Sequence, residues 1–206
     1  MSNSPTSPSL SSILPLSRPL QSRDKTAELL FTHKIFDPVA VVGIRGYYLA
    51  TMGRPDRNDR GAYDDAIIVV SSSCHVAFNG NVDPSVYRRE IASLKPGVWR
   101  YKPGTHGLSR PVAQRYPAFV QAAPVTVVRD STGDAHGHPD PAPYEETGYF
   151  GINIHRGGSA RTSSLGCQTI PPAQWAAFHS LVTEQLKRYG CKSFPYLLAE
   201  DSRAVI

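Results

Sequence analysis

The chain has 206 residues, of which 40% are apolar and 19% charged, with 18 prolines and 16 glycines. That balance suits one folded domain with its own core. It excludes a long coiled coil, and no run approaches the roughly 18 apolar residues that a membrane-spanning helix needs. A net charge of +5 without any basic block favours approach to polyanions in general and marks no nucleic-acid arm.

Residues 1–28 are expected to be a flexible tail. They open on MSNSPTSPSLSSILPLSRPLQS, where Ser and Pro dominate and Pro15 interrupts the few apolar residues. The stretch lacks the basic start and unbroken apolar run of a secretory signal, so delivery to any site outside the cytoplasm is expected to need another route. A single domain is then expected over residues 29–206. Leu29–Phe36, Val39–Ile44 and Tyr47–Met52 read as short β-prone runs, and residues 53–64 as a polar loop. Ala66–Ser71 (AIIVVS) is the strongest buried-strand signal, with Cys74–Phe78 as a second strand. Asn79-Gly80-Asn81 and Asp83-Pro84 read as turns, residues 84–95 as a short helix, and Val98–Tyr101 as a strand entering a Pro103-Gly104 turn.

Ala118–Ala122 and Val125–Arg129 are further strands. Residues 130–147 read as a long polar loop, and Tyr149–His155 as an alternating strand that ends on a histidine. The clearest helix follows: Pro172 fits its first turn, Trp175, Phe178, Leu181, Val182, Leu186 and Tyr189 recur at helical spacing, and Gly190 is placed to cap it. Phe194–Leu198 is a last strand. The sum is a mainly β, β-rich α+β domain with one substantial helix near its end.

Three cysteines, Cys74, Cys167 and Cys191, without a CxxC pair, argue against a disulfide framework or a cysteine-rich zinc module. The chemistry concentrates in residues 148–171, GYFGINIHRGGSARTSSLGCQTIP. A strand delivers His155, a Gly- and Ser-rich loop follows, and Cys167 stands after Gly166 just ahead of the helix. A thiol beside an imidazole makes a nucleophile and a base that later protonates the leaving amine. Small neighbours admit a substrate carbonyl, and the Gly166 and Cys167 amides are the expected oxyanion donors. On spacing alone, a buried cysteine and an unrelated histidine explain the pattern equally well.

Strand-His-x-Gly, a short loop, then Ser-x-Gly-Cys leading into a helix resembles the L,D-transpeptidase (YkuD-like) catalytic domain. Ile154-His155 matches that family's histidine, Ser164-Leu165-Gly166-Cys167 its cysteine motif, and Lys95-Pro96-Gly97-Val98-Trp99 its upstream aromatic strand. The resemblance spans roughly residues 95–190. Leu165 stands where the family usually has a second histidine, Thr169 where it has Arg, and Arg156 where it has Gly. The resemblance implies a β-sandwich or barrel with a helix after the catalytic cysteine, and a peptidoglycan stem peptide as partner. It also implies a thioester on Cys167, resolved by water or by an amine. His155 would be the general base, with Ser164 and Gly166 beside the nucleophile. Ser163, Arg156, His106 and Thr169 would be supporting or substrate contacts. No metal or organic cofactor is implied. Cleavage is expected over cross-linking, in a setting such as a phage endolysin or an injected effector acting on the cell wall in the periplasm.

Other constellations point elsewhere. Cys74-His75 are adjacent on a strand, point to opposite faces, and read as a buried thiol rather than a dyad. Asn79, Asn81 and Asp83 read as a plain turn. Asp64 and Asp65 read as solvated or paired with an arginine. Asp134, His136, His138 and Asp140 allow a zinc peptidase as one alternative, although three prolines make that stretch irregular. A non-catalytic cell-wall binding module is the other alternative.

Overall fold

A computed structural model of the chain describes residues 21–47, 60–130 and 143–199. Its elements, in order, are α1 (Arg23–Thr32), β1 (Val39–Ile44), β2 (Asp65–Ser71), β3 (Cys74–Gly80), β4 (Ile91–Leu94), β5 (Gly97–His106), β6 (Tyr116–Gln121), β7 (Val125–Asp130), β8 (Tyr144–Gly148), β9 (Ile154–Arg156), β10 (Gln168–Ile170), α2 (Pro172–Arg188) and β11 (Phe194–Ala199). The protein is mainly β, as its composition and patterning imply.

Eight strands form one sheet in the order β10-β9-β6-β5-β11-β1-β2-β3. An antiparallel bridge between Asn81, just past β3, and Thr169 of β10 joins the two edges, so the sheet is a nearly closed barrel. β1 and β2 are buried on both faces at every position, which is why they read as unbroken apolar runs. Their inward residues, Val41, Ile67 and Val69, meet Phe78, Phe119, Phe194 and Tyr196 in the main core. Their outward residues, Val42, Ile44, Ile68 and Val70, lie beneath Leu29 and Leu30 of α1. α2 buries Phe178, Leu181, Val182 and Leu186 against the main core, and Gly190 follows its end at φ 66°.

β4, β7 and β8 make a second, three-stranded sheet beside the barrel. β4 lies where a short helix over residues 84–95 was expected. Ile91 and Leu94 are buried, and the ladder to β7 satisfies the backbone instead. β8 lies where residues 130–147 read as loop. Its side chains are exposed and paired across the ladder (Lys95 with Glu145, Arg129 with Glu146, Thr126 with Thr147), so hydropathy does not reveal it.

Other local expectations also change. Leu29–Phe36 is helix and turn rather than strand. α1 begins at Arg23, inside the expected tail, with the Ser22 hydroxyl accepting the Lys25 N–H. Asn79 and Gly80 belong to β3 rather than to a turn, and Pro103-Gly104 stays inside β5. Beyond Tyr101, β5 pairs with β6 alone, so the missing Pro103 N–H faces a free edge. Tyr48–Met52, most of the 53–64 loop and residues 131–142, with the Asp134/His136/His138/Asp140 group, lie outside the described residues.

Candidate active site

Three elements converge at one end of the barrel. The β5–β6 hairpin brings His106 opposite Tyr116. Strand β9 carries His155, in register with Thr169 of β10 and tied to β6 through Phe119 and Ile154. The loop entering β10 carries Cys167. A ring nitrogen of His106, a ring nitrogen of His155 and Cys167 Sγ all lie within 4.8 Å of one another. The Cys/His pair expected from residues 148–171 is therefore a spatial pair, and His106 joins it. These three residues are the group among the described residues that could hold a metal ion.

Residues 149–153 deliver Cys167 its surroundings. They were expected as strand, yet the Gln121 side chain replaces a ladder partner: its Oε1 accepts the N–H groups of Phe150 (3.1 Å) and Ile152 (2.9 Å), with Gly151 between them at φ 71°. This loop turns the Gly151 carbonyl toward Cys167, whose thiol donates to it at 3.4 Å, and aims the Asn153 N–H at Sγ, also at 3.4 Å. The Asn153 carbonyl accepts the Gln168 N–H at 2.8 Å, which locks the cysteine turn to the same loop.

Ser164 shapes the turn from inside. Its hydroxyl accepts the Gly166 N–H (3.0 Å) and donates to the Cys167 carbonyl (2.6 Å). The loop is anchored below: the Ser164 N–H reaches the Ser85 hydroxyl, and the Ser85 N–H reaches the Ser164 carbonyl. Gly166 sits at φ 132°, where a Cβ would run into the Ala92 carbonyl oxygen, so this position demands glycine. These contacts change two expected roles. The Ser164 hydroxyl holds the turn rather than lying free beside the thiol. The Gly166 N–H is occupied by that hydroxyl, so it is not an oxyanion donor. The Cys167 N–H has no backbone acceptor among the described residues, which leaves it available as a donor.

His155 is almost fully buried. Its Nδ1 lies 2.7 Å from the Arg156 carbonyl oxygen and 3.0 Å from the Tyr116 hydroxyl, which itself donates to the same carbonyl at 3.3 Å. A carbonyl only accepts, so Nδ1 carries the proton and Nε2 is the basic nitrogen. The His106 ring stacks on His155 with centroids 3.9 Å apart, and His106 Nδ1 accepts from the Asn153 side-chain amide at 3.1 Å. Burial, then the neighbouring His106, pulls His155 down to about 4, partly opposed by the bond to the Arg156 carbonyl. Burial of its sulfur pushes the Cys167 thiol up to about 11, partly opposed by the Asn153 N–H. At neutral pH the resting pair is thus thiol and imidazole, not thiolate and imidazolium.

Two lobes open beside these groups and share His106 and Arg110. One, about 430 Å³, is lined by Arg110, Arg115, Tyr116, His155, Arg156 and Ser163 among others, with no acidic side chain among the described residues. The other, about 720 Å³, is lined by Leu108, Val120, Tyr149, Gly151 and Asn153 among others. The Arg156 guanidinium lies over the Tyr116 ring, and the Ser163 hydroxyl donates to the Arg161 carbonyl at the rim. His106, Arg156 and Ser163 line the smaller lobe. Thr169 does not. It is fully buried in the barrel seam, exchanging backbone bonds of 2.8 Å with Asn81, and cannot touch a substrate.

The remaining candidates separate from the site. Cys74 is buried and His75 bonds the Thr26 hydroxyl at 3.0 Å, in keeping with the reading that they form no dyad. Asn79, Asn81 and Asp83 were read as a plain turn and are buried instead, and Asn79 is held by Gln174 and the Tyr63 carbonyl. Asp64 and Asp65, read as solvated or paired with an arginine, are buried too. Asp65 accepts the Gly46 and Val82 N–H groups at 2.6 Å, and burial with two neighbouring carboxyls raises it well above the usual range. Asn153, Tyr116 and Gln121 were missed. Asn153 lies two residues before His155, a spacing that signals a shared face in an alternating run. The reach of Tyr116 and Gln121 depends on strand pairing across 30 or so residues and leaves no local signal.

No family model, curated protein or solved structure matches the chain.

Proposed function

We propose that the protein is a cysteine-dependent acyl-transfer enzyme acting on peptidoglycan stem peptides, with hydrolysis as the favoured outcome. One observation supports it most: Cys167 lies beside a histidine whose Nδ1–H is fixed on a backbone carbonyl, and that histidine lines the smaller of two open lobes. The substrate class comes from the likeness of Ile154-His155 and Ser164-Leu165-Gly166-Cys167 to the L,D-transpeptidase motif.

In this reading the thiol rotates from the Gly151 carbonyl toward His155. Sγ forms a bond to the donor carbonyl carbon as its proton passes to His155 Nε2. The developing oxyanion takes the Cys167 N–H. The imidazolium then returns the proton to the leaving amine, the C–N bond breaks, and a thioester remains on Cys167. Water, or an amine, attacks the thioester with His155 again as base, and the thiol is regenerated. Tyr116 and the Arg156 carbonyl hold the imidazole in its working tautomer throughout. The arginines of the smaller lobe favour a donor that carries a carboxylate next to the scissile bond.

The test is product analysis by mass spectrometry, with soluble muropeptides and the wild type beside Cys167→Ala. Loss of a terminal amino acid or of cross-links only when Cys167 is intact supports the reading, and new dimers would assign transfer to an amine. Equal products from both proteins would overturn it.

A further inference from the structure

We infer that His106, His155 and Cys167 also form a zinc(II) site, with three protein ligands and a fourth position open to the cleft. Two imidazoles and a thiolate are ligand types zinc prefers, and three ligands plus one open position is the arrangement of sites that exchange water or substrate. The donor atoms lie within 4.8 Å of one another, against about 3.5 Å in a tetrahedral zinc site. Closing that gap requires the stacked His106 and His155 rings, 3.9 Å apart, to turn out of their stack toward a common point, and His106 at a strand end and Cys167 on a loop sit where the chain can give.

Each ligand is held by a second group. His155 Nδ1–H rests on the Arg156 carbonyl, which leaves Nε2 for a metal. His106 Nδ1 is bonded to the Asn153 side chain. When that amide turns over, its Oδ1 accepts Nδ1–H and His106 Nε2 is freed in the same way. Cys167 Sγ receives the Asn153 N–H. Asn153 therefore orients two of the three ligands. Binding releases the thiol proton to solvent as the S–Zn bond forms. It also occupies the lone pairs on Sγ and His155 Nε2, so the zinc-bound protein holds neither a free nucleophile nor a free base.

The experiment titrates the metal-free, reduced full-length protein with cobalt(II) as a spectroscopic probe and then displaces it with zinc. One equivalent of cobalt should bind, with a thiolate-to-cobalt charge-transfer band that disappears in Cys167→Ser. His106→Gln should weaken uptake by at least about 10-fold, and a His136→Ala/His138→Ala double variant should bind like the wild type. A second readout needs no variant: zinc should protect Cys167 from iodoacetamide while Cys191, also a partly exposed free thiol, reacts at its usual rate. The proposal is overturned by absence of stoichiometric uptake, by uptake that survives in Cys167→Ser, by loss of uptake in the double variant, or by equal alkylation of Cys167 with and without zinc.

Discussion

The protonation state of the dyad has a measurable consequence in the alkylation of Cys167 in metal-free protein. With the thiol pushed up to about 11, its thiolate fraction at pH 7 is about 10⁻⁴, against about 3% for an ordinary thiol near 8.5. That is a deficit of about 300-fold in reactive species. The more basic thiolate is also the better nucleophile, and a Brønsted coefficient of about 0.45 returns about 13-fold of the deficit. Cys167 should therefore react with iodoacetamide about 25-fold more slowly than glutathione at pH 7. Its rate should climb close to tenfold per pH unit from about pH 6 to about pH 9. Peptide-level mass spectrometry in the presence of a chelator reads this, with Cys191 as an internal reference. A rate that is flat between about pH 5 and about pH 8 would show a preformed thiolate–imidazolium pair and refute the neutral dyad.

The same burial acts on stability. His155 stays neutral in the folded state down to about 4, whereas the unfolded chain takes the proton near 6.5. The unfolded state thus binds more protons at this site in that window, so the His155 contribution to stability falls as pH drops from 6.5 toward 4, by up to about 3 kcal/mol, and changes no further below it. The difference between wild type and His155→Gln in urea titrations across that range isolates the effect. Gly166→Ala should cost at least about 2 kcal/mol, read by urea denaturation, because it combines a positive φ with a backbone collision at Ala92. Ser164→Ala should lower kcat with little change in KM, since it frees the turn that aims Cys167 but touches no lobe. Arg110→Ala and Arg115→Ala should each raise KM about 10-fold for a donor with a free carboxylate and leave an amidated donor unaffected.

Much of this architecture is written locally in the chain. The β1 and β2 runs and the α2 stripe are visible because burial on two faces, or on one helical face, repeats at a fixed period. His155 and Cys167 are visible because small residues crowd around them. What is hidden depends on distant partners. β8 is exposed and held by cross-strand ion pairs, so nothing apolar marks it. The 149–153 loop alternates like a strand, yet Gln121 takes its N–H groups and makes it a cradle for the thiol. Ser164 reads as a hydroxyl beside a nucleophile, but its place two residues before Gly166 gives it both partners of a tight turn. Thr169 reads as a neighbour of the site, but the bridge to Asn81 draws it into the seam. Asp65 reads as solvated or paired with an arginine because the amides that hold it, at Gly46 and Val82, come from other parts of the chain.

The most direct test of the central claim is capture of the acyl-enzyme. Acid-quenched reactions of the protein with soluble stem peptides, measured by intact mass and by peptide mapping, should show an adduct on Cys167 equal to the donor minus its leaving group. The adduct should be released by hydroxylamine and be absent from Cys167→Ala. Turnover of the same peptides by Cys167→Ala at the wild-type rate, or an adduct mapped to any other residue, would contradict the account.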